Sequence, residues 1–371
     1  MTGTGRRILF GCHGVPFSSD VNSWAYNLFT RMRRDGLDVI QANLISEADA
    51  FFFRYSRGED FEDPRRLGSV CNCTIEKPAL EQQPAVMDVI RSCAPDLLVA
   101  WGVTAAVLLR NAAPHLPLVL VACECHQLAQ LIEVGAIRDA VSFRSAVERG
   151  VKFPVQPEDP EVVAVQRCDL LVLPSAQAQF AFGHFFPSQA GKIYARTFSP
   201  ADLVEDEAAE FADLRRPFAE RDIDVLFADG DWRPRVKNLD LASRIASRLG
   251  DFEVQIVGEH HKRLPRAHVH GVLRHRRDLY ALLGRTKLLA CPALADVGPG
   301  VLFEASAMGC NVVAWATSGY TELCHDELRV SGWRVPECIQ PIRRGTSRPF
   351  DDNRAHFLGS TTDLIEILSV F

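Results

Sequence analysis

Residues 294–315 read LADVGPGVLFEASAMGCNVVAW, and the alternation in and around this stretch decides the fold. The strand-like run KLLACPA leads into it, and the apolar run NVVAWAT closes it. Between them, a turn with Gly298 and Gly300 opens a helix-like segment that Gly309 is expected to end, as the residue after the C-cap. Short apolar runs on both sides of one helix are typical of parallel strands covered on both faces. The stretch therefore predicts a strand–helix–strand unit of an α/β sheet.

The same alternation continues along most of the chain. A first series consists of RRILFG, LDVIQANL, DLLVAW, PLVLVAC and CDLLVLPS, with a helix after the first run that ends at Gly36. A second series consists of IDVLFADG, FEVQIVG, HVHGVL, KLLACPA and NVVAWAT. Two such series predict two doubly wound, Rossmann-like α/β domains. Because ligands bind beyond the carboxyl ends of the strands in open α/β sheets, we expect the two domains to face each other across a cleft.

The break between the series is a polar, acidic stretch that is poor in strand signals, around residues 197–222. We predict an N-terminal domain at 1–200, a connector at 201–221, a C-terminal domain at 222–350, and a closing helix at 351–371 that packs back on the N-terminal domain. Ser360 or Thr361 is the expected N-cap of that helix.

Composition limits the class of protein. The chain has 371 residues, 47% apolar and 24% charged, as in a soluble globular protein, and its net charge of −6 disfavours nucleic acid as a partner. It contains no apolar run long enough to span a bilayer and begins without a secretory signal, so we expect a cytoplasmic protein.

Cysteines and arginines fit the same class. The eleven cysteines lack a disulfide framework, and we expect buried thiols at Cys93, Cys168, Cys291 and Cys310. The clusters RMRRD (Arg31, Arg33, Arg34) and RHRRD (Arg274, Arg276, Arg277) are short, which is typical of solvated helix faces or loop rims.

Two acids flank the glycine turn, Asp296 before it and Glu304 one turn into the helix. Backbone amides near Gly298 and Gly300, with the positive end of the helix dipole, suit a diphosphate. Glu304 could then accept the hydroxyls of a ribose, and Asp296 those of a second sugar. The alternative is an ordinary strand–turn–helix joint with a turn aspartate and a solvated glutamate.

The segment from Asp296 to Leu323 resembles the retaining glycosyltransferases of the GT-B type, in particular family 4, which carry a Glu-x7-Glu motif, an alanine-rich helix, a glycine and an apolar strand at this place. This chain has Asp296 for the first glutamate and Gly298-Pro299 for the usual aromatic–glycine pair. The resemblance covers residues 222–325, and the N-terminal half only in architecture. It implies a nucleotide-sugar donor, without a metal or other cofactor, held by Glu304, Gly298, Pro299, Gly300 and Val301.

A second segment, IDVLFADGDWRPRVKNLDLASRIASRL, supports this resemblance. Lys237 matches the family lysine that clamps the diphosphate, and Arg233 or its rival Arg235 matches the arginine. Two such cations stabilise the leaving group without a metal. Without the resemblance, arginine and lysine at such a junction are usually solvated. The DGD of residues 229–231 resembles a metal-binding motif of another glycosyltransferase fold, and we interpret it as a loop.

Other residues follow from the resemblance. His126, after the fifth strand-like run, would reach the donor sugar or the acceptor and so join Lys237, Arg233 and Asp296 as catalytic residues. The backbone of Leu273 and Arg274 would contact the nucleotide base. Ser19 and Asp20 would lie on the acceptor side, although capping the helix near residue 21 is an alternative for Asp20. Zinc is disfavoured because Cys71–Cys73 and Cys123–Cys125 have only one residue between them.

The sequence therefore predicts a cytoplasmic glycosyltransferase that moves a hexosyl unit from a nucleotide sugar to a hydroxyl acceptor, with retention of configuration. The acceptor class is open between glycan, lipid-linked and small molecule, and peripheral contact with a membrane is compatible with it. Two alternatives remain: a nucleotide-sugar epimerase on the same fold, and a non-catalytic GT-B protein that binds a ligand or partner.

Overall fold

The structure is a computed structural model of the chain. It describes residues 6–13, 25, 28–29, 31–45, 70–74, 83–122, 124–194, 196–260, 264, 266–273, 275–351, 356–357 and 366–368. The predictions for Ser19, Asp20, Arg274, Cys123 and the N-cap at Ser360 or Thr361 lie outside the described residues.

The described strands of the N-terminal half form one parallel sheet. They are β1 (Arg7–His13), β2 (Asp38–Ile45), β3 (Val70–Thr74), β4 (Leu97–Trp101), β5 (Leu118–Val121) and β6 (Leu170–Val172). Their order is β3-β2-β1-β4-β5-β6, and every neighbouring pair is parallel. The five predicted runs are confirmed as strands. Strand β3 was not predicted because its sequence, VCNCT, is not a continuous apolar run.

The C-terminal half repeats this plan. Its strands are β7 (Ile223–Asp231), β8 (Val254–Glu259), β9 (His268–Val269), β10 (Thr286–Cys291), β11 (Asn311–Trp315) and β12 (Arg329–Val330), in the parallel order β12-β11-β10-β7-β8-β9. Numbered within itself, each sheet runs 3-2-1-4-5-6, an order typical of doubly wound domains, so the predicted fold class is confirmed. Strand β7 continues through the DGD of residues 229–231, so the prediction of a loop there is wrong.

Helices connect the strands. Those with complete descriptions are α1 (Gln83–Cys93), α2 (Val103–Ala112), α3 (His126–Glu133), α4 (Ala140–Glu148), α5 (Pro160–Arg167), α6 (Ala176–Phe185), α7 (Ala201–Glu210), α8 (Leu239–Arg248), α9 (Arg276–Arg285), α10 (Val301–Ala307) and α11 (Val335–Ser347). None of the described helices is long and apolar enough to cross a bilayer.

Helix α10 ends as the sequence predicts. Gly309 has a φ of +76°, and the N–H of Cys310 donates to the carbonyl of Ala305 at 2.8 Å while the N–H of Gly309 donates to that of Ser306 at 2.9 Å. This pair of hydrogen bonds is the Schellman motif, whose left-handed residue is most easily a glycine. The motif turns the chain sharply from α10 into β11 and so fixes the strand–helix–strand unit.

The cores confirm that the strands are covered on both faces. All residues of β4, β5 and β11 are buried, as expected for parallel strands between helices. The prediction of buried thiols at Cys93, Cys168, Cys291 and Cys310 is confirmed.

The connector is itself folded. It contains α7, whose Leu203 and Val204 are buried in a core shared with α10. Beyond the C-terminal domain, the buried Phe357 lies edge-on to Phe303 of α10, with ring centroids 5.3 Å apart. In the closing segment Glu366 lies 3.3 Å from Arg196, near the end of the N-terminal half.

Candidate functional site

The two domains meet beside the glycine turn, where specific hydrogen bonds hold them. The Ser175 hydroxyl donates to the carbonyl of Val297 at 2.6 Å. The Tyr320 hydroxyl donates to the carbonyl of Phe198 at 2.8 Å. Ser175 follows β6 and Val297 follows β10, so the carboxyl edges of the two sheets face each other, and residues that follow the strands line the cleft.

Lys237 lies between two carboxylates at this edge. Its Nζ is 2.9 Å from Asp296 Oδ2 and 3.1 Å from Asp229 Oδ2. The three side chains come from the end of β7, the short turn after it, and the segment after β10. The structure thus brings together Lys237 and Asp296, for which the sequence predicted functional roles. It places Asp229, for which the sequence predicted no such role, beside them. We call these three residues the lysine cluster.

Burial and charge set the protonation of the lysine cluster. Burial lowers the pKa of Lys237, but the charges of Asp229 and Asp296 outweigh it and hold the pKa well above its usual range. Burial raises the pKa of Asp229, and the neighbouring Asp296 raises it further against the opposing effect of Lys237. The cluster therefore offers one charged ammonium and a carboxyl group that takes up a proton readily.

The glycine turn packs against the N-terminal domain. A methyl group built on Gly298 would lie 2.9 Å from Pro174 Cβ, so only glycine permits this approach. The N–H of Gly298 donates to Asp296 Oδ1 at 3.2 Å, which orients that carboxylate towards Lys237. The other turn residues for which the resemblance implies donor contacts are buried, namely Pro299, Gly300 and Val301.

Glu304 lies in a buried ionic network and not on a solvent-exposed face of the helix. Its side chain is fully buried and its Oε1 accepts a short hydrogen bond from Arg276, which also donates to Glu207 at 2.8 and 2.9 Å. The Tyr280 hydroxyl donates to Glu207 at 3.1 Å. Burial lowers the pKa of Arg276, but Glu304 and Glu207 raise it well above its usual range. The network ties α7 of the connector to α9 and α10, and the prediction that Arg276 is solvated is wrong.

His126 is the first residue of α3, on the N-terminal side of the cleft. The buried carboxylate of Glu161 accepts the backbone N–H groups of His126 and Gln127 at 2.7 and 3.0 Å, and so caps the helix from outside it. The His126 Nε2 lies 3.3 Å from Glu124 Oε2, and this hydrogen bond raises the pKa of His126. The same hydrogen bond lowers the pKa of Glu124, and the positive charge of Lys237 lowers it further. The His126–Glu124 pair therefore interacts electrostatically with the lysine cluster.

The described contacts of the predicted arginines are with residues outside the lysine cluster. The Arg233 guanidinium is 2.9 Å from Asp231 and 3.2 Å from Glu259, on an exposed rim. Arg235 lines a second cavity, described below. Leu273 is partly buried against the core. Whether any of these residues contacts a donor stays a prediction.

Residues 224–343, about a third of the chain, match the family model of the glycosyl transferases group 1. No curated protein matches the sequence. Solved structures that resemble the whole chain include sucrose-phosphate synthase from Thermosynechococcus elongatus, with a TM-score of 0.63 and 12% identity over 98% of this chain and 97% of that one.

HepE of Anabaena, in complex with UDP-glucose, has a TM-score of 0.62 and 16% identity over 98% of this chain and 100% of that one. The lipopolysaccharide outer core galactosyltransferase WaaB has a TM-score of 0.58 and 10% identity over 98% of each chain. Together with the strand order, these likenesses settle the architecture. The fold is GT-B. The resemblance drawn from residues 222–325 is confirmed by the family match to nearly the same segment.

Several residues of the GT-B cleft were missed by sequence reasoning. Asp229 was set aside with its loop, and Glu124 and Glu161 carried no motif. The signal that could have identified Asp229 is its position at the carboxyl end of the first strand of a domain, because ligands bind at the carboxyl ends of the strands in this fold. Among the described residues, no group of three or more His, Cys, Asp or Glu side chains is arranged to hold a metal ion.

Proposed function

We propose that this protein is a glycosyltransferase that takes a hexosyl unit from a nucleotide diphosphate sugar and transfers it with retention of configuration. The observation that carries the proposal is the partly buried ammonium of Lys237 beside Asp296, at the carboxyl edge of the family-matched domain. A cation at this place suits the diphosphate of a donor, because it stabilises the negative charge that develops on the leaving group. UDP is the first nucleotide to test, since HepE is known as a complex with UDP-glucose.

The lysine cluster suggests how the donor binds. Two carboxylates already neutralise Lys237, so a diphosphate has to displace one of them or bind together with a proton. Asp229 is a candidate to take up that proton, because burial and the charge of Asp296 raise its pKa. We propose that Asp229 takes up a proton, that Lys237 turns to the diphosphate, and that Asp296 accepts hydroxyls of the sugar.

His126 is the residue that the N-terminal domain contributes to the proposed reaction. We propose that its imidazole, held by Glu124 and placed by Glu161, hydrogen-bonds to the transferred sugar or to the acceptor. We propose transfer without a metal, in which the positive charge of Lys237 takes the role that a divalent ion has in other enzymes. As the family resemblance implies, the donor's own phosphate would take the proton of the acceptor hydroxyl.

Glu304 gives the non-catalytic alternative its support. A ribose contact requires an accessible carboxylate, whereas Glu304 is fully buried and bonded to Arg276. A non-catalytic protein that binds another ligand or a partner on this fold would need neither an accessible Glu304 nor an acceptor. The two functions differ in their products.

The test is to incubate the protein with UDP-glucose, UDP-galactose and UDP-N-acetylglucosamine, with and without candidate acceptors, and to follow the anomeric signals by NMR. Transfer predicts release of UDP and an α-linked product from an α-linked donor. The epimerase alternative predicts a changed sugar without an acceptor, and the non-catalytic alternative predicts unchanged donor. Unchanged donor together with no binding of any nucleotide would refute the transferase and the epimerase and favour a non-catalytic protein that binds another ligand or a partner.

A further inference from the structure

A second cavity opens between the domains, outside the lysine cluster. Its volume is about 410 Å³, and it is lined from the N-terminal domain by Arg138. The C-terminal domain contributes the loop 232–235, the first turn of α8, Arg244 and Trp333. None of the three residues of the lysine cluster lines this space, which we call the arginine cavity.

Among the described residues that line the arginine cavity, four are arginines (Arg138, Arg233, Arg235 and Arg244) and one is a carboxylate (Asp240). Arg138 pairs with Asp139, and Arg233 pairs with Asp231 and Glu259, so these two charges are balanced. Within the described part of the chain, Arg235 and Arg244 have no carboxylate at ion-pair distance, and both are exposed to solvent. Two guanidinium groups are therefore available to an anion from outside.

The N-terminus of α8 adds a further positive partial charge to the arginine cavity. This helix has ten residues, and its first turn, Asn238 to Asp240, lines the cavity. The Asn238 side chain donates to the carbonyl of Pro292 at 2.9 Å and makes no capping hydrogen bond to the helix. The Arg244 Nε donates to the carbonyl of Asp240 at 3.3 Å. Its terminal nitrogens and the Arg235 guanidinium lie beside the positive end of the helix dipole, which favours an anion in the same place.

Two tryptophans give the cavity a rigid apolar wall. Trp232 is buried, with its indole N–H donating to the carbonyl of Val257 at 2.7 Å. The Trp333 ring stacks on Trp315 at 14° between planes, and its N–H donates to Asp139 at 2.7 Å. A concave site with an apolar wall and a few convergent polar groups, of this volume, is typical of sites for small molecules.

We propose that the arginine cavity binds a phosphate group carried on a sugar-sized body, at a site separate from the donor site. The guanidinium groups and the helix start would hold the phosphate, and the tryptophan wall would hold the body. A free sugar phosphate and the headgroup of an anionic phospholipid share this chemistry. Arg233 and Arg235, the two candidates for the arginine that clamps the donor diphosphate, line this cavity, so UDP binding has to be measured alongside to show that the two sites are separate.

The experiment measures binding to the full chain of three probes: inorganic phosphate, glucose 6-phosphate, and vesicles of phosphatidylcholine with phosphatidylglycerol. The variant is Arg244→Gln, and the matched control is Arg248→Gln, which removes an exposed arginine from the last turn of the same helix, outside the cavity. UDP binding is measured in parallel, and the thermal midpoint of each variant checks that it folds.

The proposal expects at least one probe to bind, at least tenfold more weakly in Arg244→Gln and unchanged in Arg248→Gln, with UDP binding unchanged in both. Binding of glucose 6-phosphate alone would assign the site to a soluble sugar phosphate, and binding of the vesicles alone would assign it to a lipid headgroup. The proposal is overturned if no probe binds, or if Arg248→Gln weakens binding as much as Arg244→Gln does. Loss of UDP binding in Arg244→Gln would also overturn it, since the two sites would then be one.

Discussion

Replacing Arg276 by methionine should destabilise the C-terminal domain strongly. The arginine side chain is 9% exposed and contacts Glu304, which is fully buried, and Glu207, which is 12% exposed. Removing one partner of a buried ion pair leaves uncompensated charge, at a cost of about 3–5 kcal/mol. At about 2–4 °C per kcal/mol for a domain of this size, the thermal midpoint should fall by roughly 6–20 °C.

The neighbouring arginine provides the control. Arg277 pairs with Asp213 at 3.0 Å, but both side chains are more than half exposed, at 57% and 62%. Exposed pairs contribute about 0–1 kcal/mol, so Arg277→Met should change the midpoint little. Calorimetry and urea unfolding of both variants give the comparison directly.

A third variant tests the cause of the loss. If uncompensated charge drives it, Arg276→Met/Glu304→Gln should recover part of the stability, and the deficit of Arg276→Met should be smaller at acidic than at neutral pH, because protonation neutralises a buried carboxylate. The reasoning would be refuted if Arg276→Met cost no more than Arg277→Met. A double variant that is less stable than Arg276→Met would refute it as well.

Three further outcomes follow from the cleft. A bound diphosphate adds negative charge and so favours the protonated form of Asp229, whose pKa is already raised mainly by burial. UDP binding should therefore take up protons and weaken as pH rises. Calorimetry in buffers of different ionisation enthalpy measures this proton uptake, and none should be seen if the Asp229 carboxyl is not involved. Glu124→Gln should lower the pKa of His126, since their hydrogen bond is the main cause of its raised value; an unchanged NMR titration of the imidazole would speak against that contact. Gly298→Ala should destabilise the protein by about 1–3 kcal/mol, because the new methyl would lie 2.9 Å from Pro174 Cβ. A thermal midpoint equal to that of the parent protein would show that the two domains do not pack there as described.

Much of the fold could be predicted because the continuous apolar runs of parallel strands are visible in the sequence. The runs DLLVAW and PLVLVAC became fully buried strands. What escaped were strands whose sequence lacks that pattern, VCNCT in β3 and the two residues of β12. The glycine after α10 was predictable because only its left-handed backbone completes the helix end.

The candidate site was predictable only where a motif marked it. Lys237 and Asp296 are 59 residues apart and were linked through a family pattern, which the structure turned into a 2.9 Å contact. Arg276 looked like one of a solvated cluster, because nothing local distinguishes it from Arg277. Its burial depends on Glu207, 69 residues earlier in an acidic connector, and the sequence does not show that contact.

The affinity for UDP, measured by calorimetry on matched lysine variants, tests the central claim most directly. Lys237 and Lys287 are both paired with aspartate and similarly exposed, at 27% and 24%, but Lys287 and Asp224 lie at the amino ends of their strands. A lost charge-assisted hydrogen bond is worth about 1.5–3 kcal/mol, so Lys237→Ala should weaken UDP binding by about 10- to 150-fold and Lys287→Ala should not. The double variant Lys237→Met/Asp229→Asn, which limits the charge imbalance left in the cluster, should show the same loss. Equal UDP affinity in the parent protein, Lys237→Ala and this double variant would contradict the assignment of the donor site to Lys237.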